Sequence, residues 1–206
     1  MPFAVIGLTG GTGAGKGAVS GLLEELGIPC LDTDKVSRAV CEKGMPCLAA
    51  LAGAFGGDIL DEDGALKRKD LAALVFGEPD EIKKQEKLDT LNTITHKYIL
   101  DTCRTWLCEQ RAAGKAAAVI DAPQLFESGF DRECTYILGV TAETETRIAR
   151  VMSRDGISRE AAEQRIAAQH DDAFFAARCD AVLANNGSFD ALLPGLTEIL
   201  HTWGIV

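Results

Sequence analysis

The chain has 206 residues, 47% of them hydrophobic, with a formal net charge of −10 and seven cysteines. That length fits one α/β domain with insertions and a sizeable core, which excludes a disordered chain. The negative charge opposes extended contact with phosphate backbones, so no nucleic-acid partner is expected, whereas a small anion held by a few convergent cations remains compatible with it.

In chain order, Phe3 to Leu8 is a short apolar and β-branched run, followed by a glycine cluster and then by an amphipathic helical pattern from Val19 to Leu26. Ile28 to Asp32, Ala116 to Asp121, Cys134 to Val140 and Ala181 to Ala184 are further strand-sized runs, separated by segments with helical periodicity. Such alternation predicts a parallel sheet of five strands with helices on both faces. More than eighty residues separate the second and third runs, too many for one crossover helix. Leu71 to Ala113 is mostly helical in composition, with Leu88, Leu91, Thr95 and Tyr98 at helical spacing. Ser153 to His170 is polar and arginine-bearing, as a lid would be. The expected division is a core of about 1–60, 115–140 and 175–206, a helical acceptor-binding insertion of about 61–114 and a lid of about 141–174.

No run approaches the roughly 20 apolar residues that span a bilayer, and no leader pattern follows Met1, so a cytoplasmic protein without membrane attachment is expected. The cysteines (30, 41, 47, 103, 108, 134 and 179) contain no C-x-x-C pair, and neither a zinc site nor a disulfide framework is expected.

GLTGGTGAGKGA at 7–18 has Gly10, Gly15 and Lys16 at Walker A spacing, between a predicted strand and a predicted helix. Glycines let the loop turn its amides around a β-phosphate while the next helix offers its positive end to the same anion. Gly11, Thr12, Gly13, Ala14, Gly15, Lys16, Gly17 and Ala18 are therefore the candidate ATP-phosphate ligands, with Lys16 reaching the β- and γ-phosphates. Gly17 and Ala18 stand where a Ser or Thr usually offers its hydroxyl to Mg²⁺. The ion must then keep an extra water, lean on a carboxylate elsewhere, or bind through the nucleotide. Asp121, ending a predicted strand, is the candidate carboxylate, acting through water.

After the second strand comes DTDKVSR at 32–38, leaving the carboxyl end of a sheet, where ligands bind in open α/β folds. Asp34 could accept a proton from an attacking hydroxyl, although a surface acidic turn has the same composition.

LTGGTGAGK (8–16) and DTDKVSR (32–38) together resemble the paired signatures of the dephospho-CoA kinase family, a P-loop NTPase-type three-layer α/β fold. DGALKR (63–68), TITHKYI (93–99), DAPQLFE (121–127), Arg150 and Arg154, Arg165 and Gln169, and CDAVLANNG (179–187) are similar to further segments of that family in order. The resemblance implies Mg²⁺-ATP and dephospho-CoA as ligands and phosphorylation of the 3′-hydroxyl. It implies Asp34 as base, Arg150 and Arg154 closing over the phosphoryl group, Arg38 and His96 in the acceptor pocket, and Asn185 and Gly187 near the adenine. Lys97 and Gln124 depart from the family pattern, which usually has proline and leucine there. Two other readings stay open: a P-loop kinase for another small acceptor, and a nucleotide-binding relative with weak catalysis, suggested by Gly17.

Overall fold

The structure, a computed structural model, describes residues 2–187 and 189–206. Two compact units divide it: Met1–Asp32 with Trp106–Val206, and Thr33–Thr105.

The first unit is built on five parallel strands, β1 (Ala4–Gly10), β2 (Cys30–Asp32), β3 (Ala117–Asp121), β4 (Tyr136–Thr141) and β5 (Ala181–Ala184), in the order β2-β3-β1-β4-β5. β1 lies centrally and is almost wholly buried, as its unbroken apolar run requires of a strand covered on both faces. It extends to Gly10, two residues past the expected end, because Thr9 and Gly10 continue to pair with Gly139 and Val140 of β4. Alternate residues Ala4, Ile6 and Leu8 enter one core with Val119, Leu138 and Val140. Onto that core pack Val19, Leu22 and Leu23 of α1 (Lys16–Glu25), and Leu192, Leu196 and Leu200 of α9 (Phe189–Thr202), at helical spacing. Each leucine so buried contributes about 2 kcal/mol of transfer free energy.

The connection from β3 to β4 departs from the expected helical segment. It is a run of turns ending in a short 3-10 helix, Phe130–Glu133, that buries Leu125 and Phe130. Leu125 lies against Gly7 of β1, where an added methyl group would meet its side chain at 2.8 Å. After β4, α6 (Thr144–Asp155) and α7 (Arg159–Ala167) pack together through Ile148, Val151 and Ala162, with Met152, Ile157 and Ile166 around them. This hairpin carries most of the segment expected as a lid, and α8 (Asp172–Arg178) follows it.

The second unit is helical: α2 (Thr33–Ala39), α3 (Pro46–Phe55), α4 (Arg68–Phe76) and α5 (Glu81–Ala112) as far as Thr105. It begins at Thr33, well before the expected boundary near 61, because the three-residue β2 runs directly into α2. Pro46 starts α3, where its missing N–H costs nothing, and Gly56 (φ 92°) ends it. An Arg68 Nη2 to Arg38 carbonyl bond of 3.1 Å joins the last residues of DGALKR and DTDKVSR within this unit.

Candidate active site

Parallel register sets Asp121 beside Leu8 of β1 and Asp32 of β2, so β2 and β3 end together while β1 runs two residues further, to Gly10, where the glycine loop begins. The loop leaves β1 at Gly10 and enters α1 at Lys16. Gly13 (φ 77°) and Gly15 (φ 91°) lie in the left-handed region, which glycine enters without steric cost. α1 begins with no side-chain cap and no acidic residue in its first turn. Its N-terminal amides and positive dipole end are thus left to an anion.

Side chains from the far end of the chain take the loop carbonyls. Asn185 Nδ2 donates to Ala14 O at 2.9 Å, Arg150 Nη1 donates to Gly13 O and Ala14 O at 3.3 Å each, and Arg147 Nε donates to Thr12 O at 3.0 Å. Arg150 Nη2 also donates to Asn185 Oδ1 at 3.2 Å, and Arg154 Nη2 to Thr12 Oγ1 at 3.3 Å. Thr12 N–H donates to Gln169 Oε1 at 2.6 Å. With carbonyls 12, 13 and 14 held by side chains, the loop is braced in one shape, in which the Thr12 and Ala14 amides are themselves engaged by Gln169 and the Gly11 carbonyl.

Arg147, Arg150 and Arg154 recur at i, i+3 and i+7 on α6, one helix face turned to the loop. Arg147 was not among the residues expected from sequence. It is 5% exposed, its Nη2 makes no hydrogen bond, and burial holds its guanidinium below the usual arginine range despite Asp172 at 3.7 Å. Hydrogen bonding from Arg154, with the Arg154 and Arg165 charges, draws the Asp155 carboxyl below its usual range.

Lys16 Nζ forms an ion pair with Asp121 Oδ1, and Ser20 Oγ donates to Asp121 Oδ2 at 2.6 Å. Ser20 is a second residue that sequence reading passed over; it lies four residues beyond Lys16 on the same helix face. Gly17 is exposed at the helix start.

The remaining expected residues are distributed as follows. Asn185 is buried, and its amide is engaged by the loop and Arg150; Gly187 follows in the exposed bend after β5. Asp34 is exposed in the first turn of α2, two residues beyond the end of β2, and Arg38 is exposed in its last turn. His96 is half-buried midway along α5. These three belong to the helical unit.

Residues 4–191 match the family model described as dephospho-CoA kinase. A dephospho-CoA kinase of Corynebacterium efficiens is 38% identical over 187 residues, 91% of this chain and 90% of that one. A crystal structure from Thermus thermophilus is 32% identical with a TM-score of 0.77, covering 97% of both chains. The dephospho-CoA kinase of Campylobacter jejuni, at 20% identity and a TM-score of 0.70 over 98% and 97% of the two chains, shares the fold. This chain belongs to the dephospho-CoA kinase family.

Proposed function

We propose that the chain transfers the γ-phosphoryl group of ATP to the 3′-hydroxyl of dephospho-CoA, giving coenzyme A and ADP, the last step of coenzyme A synthesis. One observation carries the reading: a phosphate loop braced by Arg147, Arg150 and Asn185, with Lys16 at its helix end, within a chain of this family.

The 3′-oxygen would attack the γ-phosphorus while the bond to the β–γ bridging oxygen breaks and ADP leaves. Asp34 would take the hydroxyl proton, with Arg38 and His96 contacting the acceptor. Lys16 would exchange Asp121 for the β- and γ-phosphates, and the amides of Gly11 to Ala18 would hold those groups. Arg150 and Arg154 would neutralise charge on the phosphoryl oxygens, an effect strongest where water is excluded. Arg147 would join them, since its Nη2 lacks an acceptor beside the loop. With the Asn185 side chain committed to the loop and its N–H to the Thr141 carbonyl, adenine contact would fall to its backbone carbonyl and to Gly187.

Mg²⁺ suits the site chemically. Asp121 and Ser20 supply oxygen donors, and no group of three or more acidic, His or Cys side chains that could hold a metal occurs among the described residues. The ion would arrive with the nucleotide, supplying charge neutralisation, and Asp121 would hold it through water. Among the described residues no helix is long and apolar enough to cross a membrane, and we place the reaction in the cytosol.

A coupled ADP-release assay with Mg²⁺-ATP tests the reading against dephospho-CoA, AMP, adenosine and shikimate. The expected outcome is turnover confined to dephospho-CoA, lost in Lys16→Ala and lowered by at least about a hundredfold in Asp34→Asn, the scale of one general base. Turnover on another acceptor, or none on dephospho-CoA, overturns it.

A further inference from the structure

The loop offers no hydroxyl after its lysine, yet a hydroxyl reaches the same carboxylate from one turn further along α1. Ser20 Oγ donates to Asp121 Oδ2 at 2.6 Å while Lys16 pairs with Oδ1. Asp121 is 6% exposed at the end of β3 and Ser20 is half-buried, so their bond is largely shielded from competing water. A carboxylate engaged at both oxygens is fixed in rotation.

We infer that Ser20 is a positioning residue that substitutes for the absent hydroxyl at Gly17 by holding the Asp121 carboxylate in the orientation that receives a divalent cation's water. The inference rests on the kinase reading for the presence of a nucleotide. When the triphosphate draws Lys16 away, Oδ1 loses its ammonium partner, but Ser20 still holds Oδ2. Hydrogen-bonding partners behind a metal-binding group commonly set its affinity by 10- to 100-fold.

Gly17 permits a direct reciprocal test. Its φ is not positive, and a methyl group built on it meets nothing within 4 Å, so Gly17→Ser restores a loop hydroxyl without a clash. Mn²⁺ binding to the full chain with ADP, followed by the electron paramagnetic resonance of free Mn²⁺, reads the effect independently of turnover. Ser20→Ala is expected to raise the Mn²⁺ Kd by about tenfold or more, and Gly17→Ser in that background to recover most of the loss. ADP affinity without metal should stay at the wild-type value. Unchanged Mn²⁺ affinity in Ser20→Ala overturns the inference, as does a loss that Gly17→Ser fails to recover. Should Ser20→Ala not fold, Ser20→Cys, a weaker donor of similar size, must show the same direction. Dephospho-CoA turnover with Mn²⁺ affinity indifferent to Ser20 removes this inference alone. Turnover only on another acceptor, with Mn²⁺ affinity following Ser20, removes the acceptor assignment alone.

Discussion

Asn185 shows how much one buried amide can carry. Its Nδ2 and Oδ1 serve Ala14 and Arg150 together, so truncation removes the shorter of the two bonds to the Ala14 carbonyl and loosens the arginine that makes the other. Asn185→Ala is expected to lower stability by about 1–3 kcal/mol and to raise the KM for ATP, measured by urea unfolding and initial rates. Arg147 should behave in the opposite way toward stability. Removing a buried cation whose partners are one carbonyl and a largely exposed carboxylate 3.7 Å away, with Nη2 unpaired, relieves a desolvation cost that outweighs them. Unliganded Arg147→Met should therefore unfold at or above the wild-type temperature while binding ATP more weakly, as calorimetry with and without ATP would show. Neither role is written in a motif, because an arginine or asparagine in a helical or loop pattern reads the same whether it faces water or a neighbouring backbone.

At the scale of elements, the loop, α1 and the α6–α7 hairpin work together. Gly13 allows the close approach of α6: a methyl group on it would lie 2.7 Å from the Arg147 carbonyl, with φ already at 77°. Gly13→Ala is expected to push α6 away and to reduce ATP affinity by at least about tenfold, equivalent to 1.4 kcal/mol, in titration calorimetry. The hairpin itself is tuned by its caps. Ser158 Oγ accepts from Ala161 N at 3.2 Å at the start of α7, and Ser158→Ala should cost about 1 kcal/mol in urea unfolding with little change in KM. The strand runs and α1 were legible from periodicity, since both are amphipathic or continuously apolar. The turns joining β3 to β4 were not, because Leu125 and Phe130 bury large side chains without a regular period.

Across the molecule, burial of thiols links stability to alkaline pH. Burial, reinforced by Glu24 and Asp121, pushes the Cys30 thiol from 9.0 to about 12; burial, with Asp131, Glu133 and Asp180, does the same for Cys134. Cys179 rises to about 11, chiefly through burial. From about pH 9 to pH 12 the unfolded chain has released thiol protons that the native chain retains. The native state then binds more protons, and stability falls as pH rises through that window. Urea unfolding between pH 8 and 10.5 should show a decline that is shallower in Cys30→Ala/Cys134→Ala; equal slopes would contradict the assignment.

What the sequence determined by itself was the order of strands and helices, the phosphate loop and the family, because these depend on local periodicity and on residues at fixed spacing. Asp34, Arg38 and His96 were nameable on the same basis, through segments that resemble the family's. Tertiary structure alone decided the strand order β2-β3-β1-β4-β5 and the start of the helical unit at Thr33. It also decided that Ser20, Arg147 and Gln169 reach Asp121 and the loop. Those contacts join residues more than a hundred positions apart, and nothing in local spacing records which distant backbone a polar side chain will meet.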